Sequence, residues 1–238
     1  MTAVHRVDYA GEGLSEAELA PTPWQQARRW VDEADARAES GADVPEPRAL
    51  SVATVDTSGA PNVRTVLMRF FDERGPGFVT SRDSTKGLEL AHEPRVAAGL
   101  VWPAMYRAIR FRGVVEEVDA DEVREYWASR PWGSRISAWA SRQSQPASGR
   151  EQLEADFDRY ATQFPDHGRP DDVPVPEFWG GYRVRCQEVE FWAGRRNRLH
   201  DRLVFTAVGA GGGVAAQDVA AYPSLDDPAA WTVLRRQP

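Results

Sequence analysis

The stretch RNRLHDR, residues 196 to 202, sets Arg198, His200 and Arg202 two positions apart. Side chains alternate faces along an extended strand, which predicts these three on one side and Leu199 and Asp201 on the other, apolar side. Guanidinium groups grip phosphate or carboxylate through paired hydrogen bonds and stack on aromatic planes, while imidazole donates, accepts or charges near neutral pH. Such a face suits an anion, a planar ring, or both. A solvated polar strand face carries the same pattern, so the remaining residues have to decide between them.

A second signal is Lys86. Lysine and arginine total 29, and every one except Lys86 is arginine. The lysine stands in STKG, at the expected start of a helix, where free backbone amides and a compact ammonium together suit phosphate. Chance placement explains a single lysine as well. Other anion-binding groups are Arg64 and Arg69 on one expected strand, Arg130 and Ser134 in YWASRPWGS, and Gln143 and Ser144 in SRQS. Together with the opening stretch they could serve two phosphates and a polarised ring, although an arginine-rich surface offers similar groupings by composition alone. There is no zinc-ligand spacing, no nucleotide-hydrolase phosphate loop and no dinucleotide fingerprint, because GAGGG does not open a helix after a strand. His5, His92 and His167 stand alone. No metal site is expected.

The elements that must position these groups read as mainly β with inserted helices. Residues 1–20 lack periodicity and read as an arm. From Pro21 a helix follows, with Thr22 as cap, Pro23 in the first turn, and Trp24, Ala27, Trp30, Val31 and Ala34 at helical spacing. ALSVATVD, NVRTVLMRFFD and GPGFVTS are apolar runs separated by turn clusters, which predicts an antiparallel meander. A short helix at STKGLELAHE, capped by Ser84, precedes two strands, RVAAGLVW and YRAIRFRGVVEEV. Three helical stretches then lead to a strand in GGYRVRCQEVEFWAG and a last strand in WTVLRRQP, with a glycine-rich, aperiodic insertion near 209–229 that reads as a flexible loop. Residues 21–238 are expected to form a single domain.

The chain has 238 residues, 42% hydrophobic and 27% charged, enough for a full core. A net charge of −7 argues against non-specific nucleic-acid binding, so any anion site is local. Cys186 is the one cysteine, the N-terminal residues carry no signal-peptide pattern, and no run approaches the ~20 apolar residues of a membrane span. The expected setting is the cytoplasm, with neither nucleic acid nor membrane as partner.

RTVLMR, YWASRPWGSRISAWASRQS, FWGGYRV, EFWAGRRNRLHDR and WTVLRRQP closely resemble the pyridoxamine/pyridoxine 5'-phosphate oxidases, and RVDYAGEGL resembles their substrate-lid segment. The resemblance runs in order over nearly the whole chain and fails only in the insertion. It implies an antiparallel FMN-binding split barrel, homodimeric, with each flavin at the subunit interface. It further implies that Arg64, Val66, Leu67, Thr80, Lys86, Gln143, Ser144, Trp192 and Arg202 surround FMN. By the same resemblance Tyr126, Arg130 and Ser134 hold the substrate phosphate, Arg69 takes the place of a phosphate-binding lysine, Arg198 and His200 line the pyridine ring, and Arg6 and Tyr9 close over it. The implied reaction converts pyridoxine or pyridoxamine 5'-phosphate to pyridoxal 5'-phosphate, with O2 as acceptor and H2O2 as product. Departures from the family pattern are Arg69, Thr85 for a flavin-phosphate arginine, Val79 for an aromatic residue and Ala108 for a glutamine. They leave two alternatives: a related oxidase of another ring, such as a phenazine precursor, or a non-catalytic protein that binds flavin or pyridoxal phosphate.

Overall fold

The computed structural model describes residues 9–41, 43–209 and 218–238. Helix α1, Pro23–Glu39, starts where expected: the Thr22 hydroxyl accepts the Gln25 amide, Pro23 occupies the first turn, and Ala27, Trp30, Val31 and Ala34 form the buried face. Strands β1 (Ala49–Val55) and β2 (Pro61–Leu67) form a hairpin, and β3 (Phe70–Asp72) and β4 (Gly75–Ser81) form another. Helix α2 covers Thr85–His92, and β5 (Arg95–Trp102) and β6 (Arg107–Glu117) make a third hairpin. Helices α3 (Ala120–Ser129), α4 (Trp132–Ala140) and α5 (Arg150–Gln163) precede β7 (Trp179–Ala193), β8 (Asp201–Ala207) and β9 (Trp231–Arg235).

The sheet order is β2-β1-β5-β6-β7-β4-β3, with β8 between β7 and β9, and every pairing is antiparallel. The mainly β architecture with inserted helices is as expected; the meander is not. The run NVRTVLMRFFD breaks at Met68 and Arg69, and its halves lie at opposite ends of the sheet order. The hydrogen bonds give the reason. The Met68 amide donates to Arg48 O beside β1, whereas the next amide, Arg69, donates to Gly77 O in β4. One peptide step therefore joins the two ends of a curled sheet, and Met68 plugs the seam, almost fully buried.

Leu50, Val52, Phe78, Ile109, Phe111, Phe191 and Phe205 fill the inside of the curl, and Trp30 of α1 packs edge-on against Phe191 at 5.4 Å between ring centroids. A second apolar cluster joins α3 and α4 to the start of β7 through Val123, Trp127, Ile136 and Trp179. Of the glycine-rich insertion, residues 210–217 lie outside the described residues; beyond them Tyr222 is buried and Leu225 belongs to the main core cluster.

The opening stretch departs from the strand reading. Arg196–Arg198 form a short 3-10 turn, Asn197 and Arg198 take left-handed φ values of 58° and 61°, and β8 begins only at Asp201. Asparagine tolerates that region through its short polar side chain, which starts the turn. The expectation that Arg198, His200 and Arg202 share a face by strand alternation is overturned, and Leu199, expected on an apolar face, is 68% exposed.

Candidate active site

The expected site residues fall into two groups on the described chain. The first surrounds the N-terminus of α2. Ser84 caps that helix by accepting the Gly87 amide, and the cap turns the Lys86 ammonium inward. Lys86 Nζ donates to Thr80 Oγ1 at 3.0 Å and to Gln143 Oε1 at 3.0 Å, and approaches Ser84 Oγ at 3.3 Å. Thr80 and Ser84, from just before the helix, and the sequence-distant Gln143 thus converge on one buried ammonium, and no carboxylate forms an ion pair with it among the described residues. Burial, and then the Arg64 guanidinium nearby, push the Lys86 pKa below the ordinary lysine value. A buried ammonium held only by neutral oxygens, at a helix start with free amides, is suited to an anionic group such as a phosphate.

Arg64 reaches the same region from β2. It is bound to Glu89 Oε2 at 2.7 Å, to Val52 O and to Thr54 Oγ1, and Glu89 also accepts from Asn62 at 3.0 Å. Sequence reasoning missed Glu89. Its position one turn after Lys86 on α2 was the available signal, since a carboxylate on the inward face of a helix needs cationic partners. Val66 and Leu67 lie on the outer strand β2, half-buried and exposed respectively. Ser144 is exposed, with a left-handed φ of 72°.

Adjoining this cradle is a cavity of about 320 Å³ lined by Val79, Thr80, Ser81, Arg130, Gln143 and Trp179, among others. Arg130 leaves the end of α3, donates to Ser134 O at 2.9 Å, and lies over the rings of Trp127 and Trp179 at 5.2 and 5.1 Å. Its Nη1 is buried with no hydrogen-bond partner among the described residues. Burial lowers the Arg130 pKa, aided by Arg69 and Arg135 and opposed by Tyr126. Tyr126 stacks parallel to Trp179 at 6.1 Å, and Arg69 lies 6.0 Å from the Tyr126 ring. Tyr126, Arg130, Ser134 and Arg69 are thus brought together. Trp179, a platform for both Tyr126 and Arg130, was not singled out in the sequence; FWGG offered only its aromatic character.

The second group lies at the end of β7 and the start of β8. The His200 ring is 4.7 Å from Trp192 and 5.3 Å from Tyr9, and its Nδ1 accepts the Arg195 amide at 3.1 Å. Burial and then the Arg198 charge lower the His200 pKa, which leaves a neutral imidazole at pH 7. Arg202 makes a paired contact with Glu190, at 3.1 and 2.7 Å, and donates to Gln237 O. Arg198 is exposed, and Arg6 lies outside the described residues. Trp192 and Arg202 line a different cavity, of about 560 Å³, with Val63, Val101, Arg110 and Arg112. Among the described residues no hydrogen bond, ion pair or ring contact connects this group to Lys86 or Arg130, and the two groups line different cavities.

Besides Arg69, the positions that depart from the expected pattern are Val79, which lines the Arg130 cavity; Thr85, exposed in the first turn of α2; and Ala108, buried opposite Trp192 on the neighbouring strand. Among the described residues no cluster of three or more His, Cys, Asp or Glu could hold a metal ion, and no helix is long and apolar enough to cross a membrane.

Comparison with known proteins places this geometry. Residues 37–164 match the family model for pyridoxamine 5'-phosphate oxidase, and residues 179–238 match that for the pyridoxine 5'-phosphate oxidase C-terminal dimerisation region. The pyridoxine/pyridoxamine 5'-phosphate oxidase of Kineococcus radiotolerans is 46% identical over 236 residues, covering 99% of this chain and 98% of its own length. That of Burkholderia multivorans is 42% identical over 233 residues, covering 98% and 97%. Among solved structures, PhzG from Burkholderia lata 383, in complex with tetrahydrophenazine-1-carboxylic acid, superposes with a TM-score of 0.77 at 25% identity, covering 97% of this chain and all of its own. A pyridoxamine 5'-phosphate oxidase-related, FMN binding protein from Nostoc punctiforme has the same fold, with a TM-score of 0.64 at 17% identity over 92% of this chain. The curled antiparallel sheet is therefore the split barrel expected from the sequence, and the chain belongs to the pyridoxamine 5'-phosphate oxidase family.

Proposed function

We propose that the protein is an FMN-dependent oxidase that converts pyridoxine or pyridoxamine 5'-phosphate to pyridoxal 5'-phosphate, with O2 as acceptor and H2O2 as product. The observation that carries this reading is Arg130, whose buried, unpartnered Nη1 stands at a cavity adjoining the Lys86 cradle. Two cationic positions without carboxylate partners suit two phosphate-bearing molecules side by side, a cofactor and a substrate. The names of the relatives support a pyridoxine or pyridoxamine 5'-phosphate as the substrate, and the FMN binding protein of the same fold supports FMN as the cofactor.

FMN, when bound, supplies a two-electron acceptor. Lys86, Thr80, Ser84 and Gln143 would hold its phosphate, and the cradle fits because the ammonium is buried yet bound only by neutral oxygens. Arg64, already fixed by Glu89, would add a second cation, while Val66, Leu67, Ser144, Trp192 and Arg202 would complete the flavin site. Arg130, with Tyr126, Ser134 and Arg69, would grip the substrate phosphate and exclude water from it. His200 and Arg198 would orient the pyridine ring, with Tyr9 and Arg6 of the arm over it, and neutral His200 would donate a hydrogen bond from its Nε2–H to the substrate, since Nδ1 accepts the Arg195 amide and the ring proton therefore sits on Nε2. Because Trp192, His200 and Arg202 lie apart from Lys86 and Arg130 on one chain, a homodimer that joins one group to the other is part of the proposal. The match to a dimerisation region supports it. Residues 21–238 are read as one domain and the setting as the cytoplasm, in keeping with a single, buried, unpaired cysteine.

Oxidation of a phenazine precursor is the second reading. The PhzG match and Arg69 favour it; the Tyr126 and Arg130 arrangement favours a phosphorylated substrate. Purified protein is expected to be yellow and to bleach when pyridoxine 5'-phosphate is added without oxygen. Loss of a charge-assisted phosphate contact costs about 1.5–3 kcal/mol, so Arg130→Ala should raise KM for that substrate roughly ten- to a hundredfold. A yellow protein that bleaches only with a phenazine precursor supports the second reading, and a colourless protein without FMN affinity removes both.

A further inference from the structure

Asp201, between His200 and Arg202 in sequence, plays no part in the site as described, yet it is 6% exposed. A carboxylate buried to that degree requires its charge and lone pairs to be met. Three donors meet them. The Leu14 amide donates to Oδ2 at 2.9 Å, the Arg195 guanidinium binds the same oxygen, and Arg235 of β9 binds Oδ1. Arg235 continues outward to Glu16, with contacts of 2.7 and 2.8 Å, and reaches Leu14 O. These contacts hold the Asp201 and Glu16 pKa values low, Glu16 at about 2, so both carboxylates stay ionised through the neutral range.

The chain is tied here at two points of the N-terminal arm, Leu14 and Glu16, to residues on two adjacent strands. Leu14 itself is buried. Five residues before it, the Tyr9 ring makes edge contacts with Tyr106 at 5.1 Å, Trp192 at 6.1 Å and His200 at 5.3 Å. The path between is tightly constrained. Gly13 has a φ of 82°, and a β-carbon there would collide with the Arg195 guanidinium and with Asp201; one at Gly11 would collide with the Gly194 carbonyl. The arm therefore threads a slot closed by Arg195 on one side and Gly194 on the other, and Asp201 fixes its far end.

We propose that Asp201 is a positioning residue: with Arg235 and Glu16 it clasps the arm so that Tyr9 stands on His200 and Trp192 at the substrate ring site. The inference rests on the proposed function only for what the arm covers; the clasp itself rests on the contacts above. It acts by reducing the conformational freedom that the arm would lose on binding substrate, so its effect falls mainly on substrate affinity.

The test measures amide hydrogen exchange over residues 9–19, together with steady-state kinetics, in the wild type, Asp201→Asn and the surface variant Glu16→Gln. Both variants should speed exchange of the arm while leaving exchange in β8 and β9 and the flavin content unchanged. KM for pyridoxine 5'-phosphate should rise about two- to fivefold in Glu16→Gln and tenfold or more in Asp201→Asn, with a smaller change in kcat. Glu16→Asp, which keeps the charge, should recover part of the loss. Wild-type exchange of the arm in both variants overturns the clasp. Faster exchange with an unchanged KM overturns its positioning role and leaves Asp201 a structural anchor. A wild type that does not turn over the substrate refutes the proposed function instead, and the exchange data then still judge the clasp.

Discussion

At the residue scale, the environment of His200 sets a testable protonation state. Its Nδ1 accepts a backbone amide, and that contact needs the unprotonated ring. Burial and the Arg198 charge both disfavour the imidazolium, so the folded-state pKa lies below the ordinary histidine value. The neutral form, present above that pKa, is the one that keeps the Arg195 contact at Nδ1 and so holds its Nε2–H toward the substrate, and it is lost as pH falls through it. The expected outcome is a kcat/KM that is flat at neutral pH and declines on the acid side, at a pH below the usual histidine range. Arg198→Ala removes one of the two causes and should move that limb to higher pH, even as substrate orientation suffers. A limb that does not move would show that Arg198 and His200 are not electrically coupled in the working enzyme.

At the element scale, the anion cradle depends on the first turn of α2. Ser84 satisfies the Gly87 amide, and Gly87 packs so closely on the backbone of Arg82 that an added β-carbon would collide with the carbonyl of Arg82. Loss of a serine cap costs about 1 kcal/mol, equivalent to about 2–4 °C in Tm for a chain of this size. Ser84→Ala should therefore lower Tm by that amount and weaken FMN binding, because Ser84 also touches Lys86. Gly87→Ala should do more damage to FMN binding than to stability, since the helix can move outward only by pulling the Lys86 ammonium off Thr80 and Gln143. A flavin titration by fluorescence quenching beside a thermal melt of each apo-protein separates the two effects. Equal flavin affinity in Gly87→Ala and wild type would mean that the helix start does not shape the cradle.

At the scale of the whole molecule, the open face of the sheet is incomplete on one chain. Val63 and Val101, 65% and 62% exposed, line the 560 Å³ cavity beside the charged pairs Arg110–Glu190, Arg202–Glu190 and Arg236–Glu188. Isolated exposed valines are ordinary, but a shared cavity with ion pairs and a flavin candidate suits a surface covered by a second copy. Val101→Glu should shift the protein to monomer in sedimentation and lower its flavin content. A composite site also predicts complementation. Lys86→Ala and Arg202→Ala, each nearly inactive, should recover about a quarter of wild-type activity after mixed refolding, because half the random dimers then carry one intact site. No recovery would place both residues in a site made by one chain.

The sequence by itself determined the elements and the chemistry of the groups. Periodicity and caps located α1 and α2, with Thr22 and Ser84 capping as expected, and apolar runs located most strands, because those signals are local. The motifs also sufficed for the family and for the grouping of Tyr126, Arg130 and Ser134, which sit on two successive helices and the short link between them. Tertiary structure alone decided three things. The first was the sheet order, in which one peptide step at Met68–Arg69 changes partners across the whole curl. The second was the backbone of RNRLHDR, where an asparagine-led left-handed turn replaces the strand and leaves Leu199 in solvent. The third was the pairing of buried charges, Arg64 with Glu89 and Asp201 with Arg195 and Arg235, whose members are separated by as much as 34 residues. Alternation and helical spacing say which way a side chain points relative to its neighbours in sequence. They carry no information about which distant group it meets, and a buried charge is stable only when that distant group is in place.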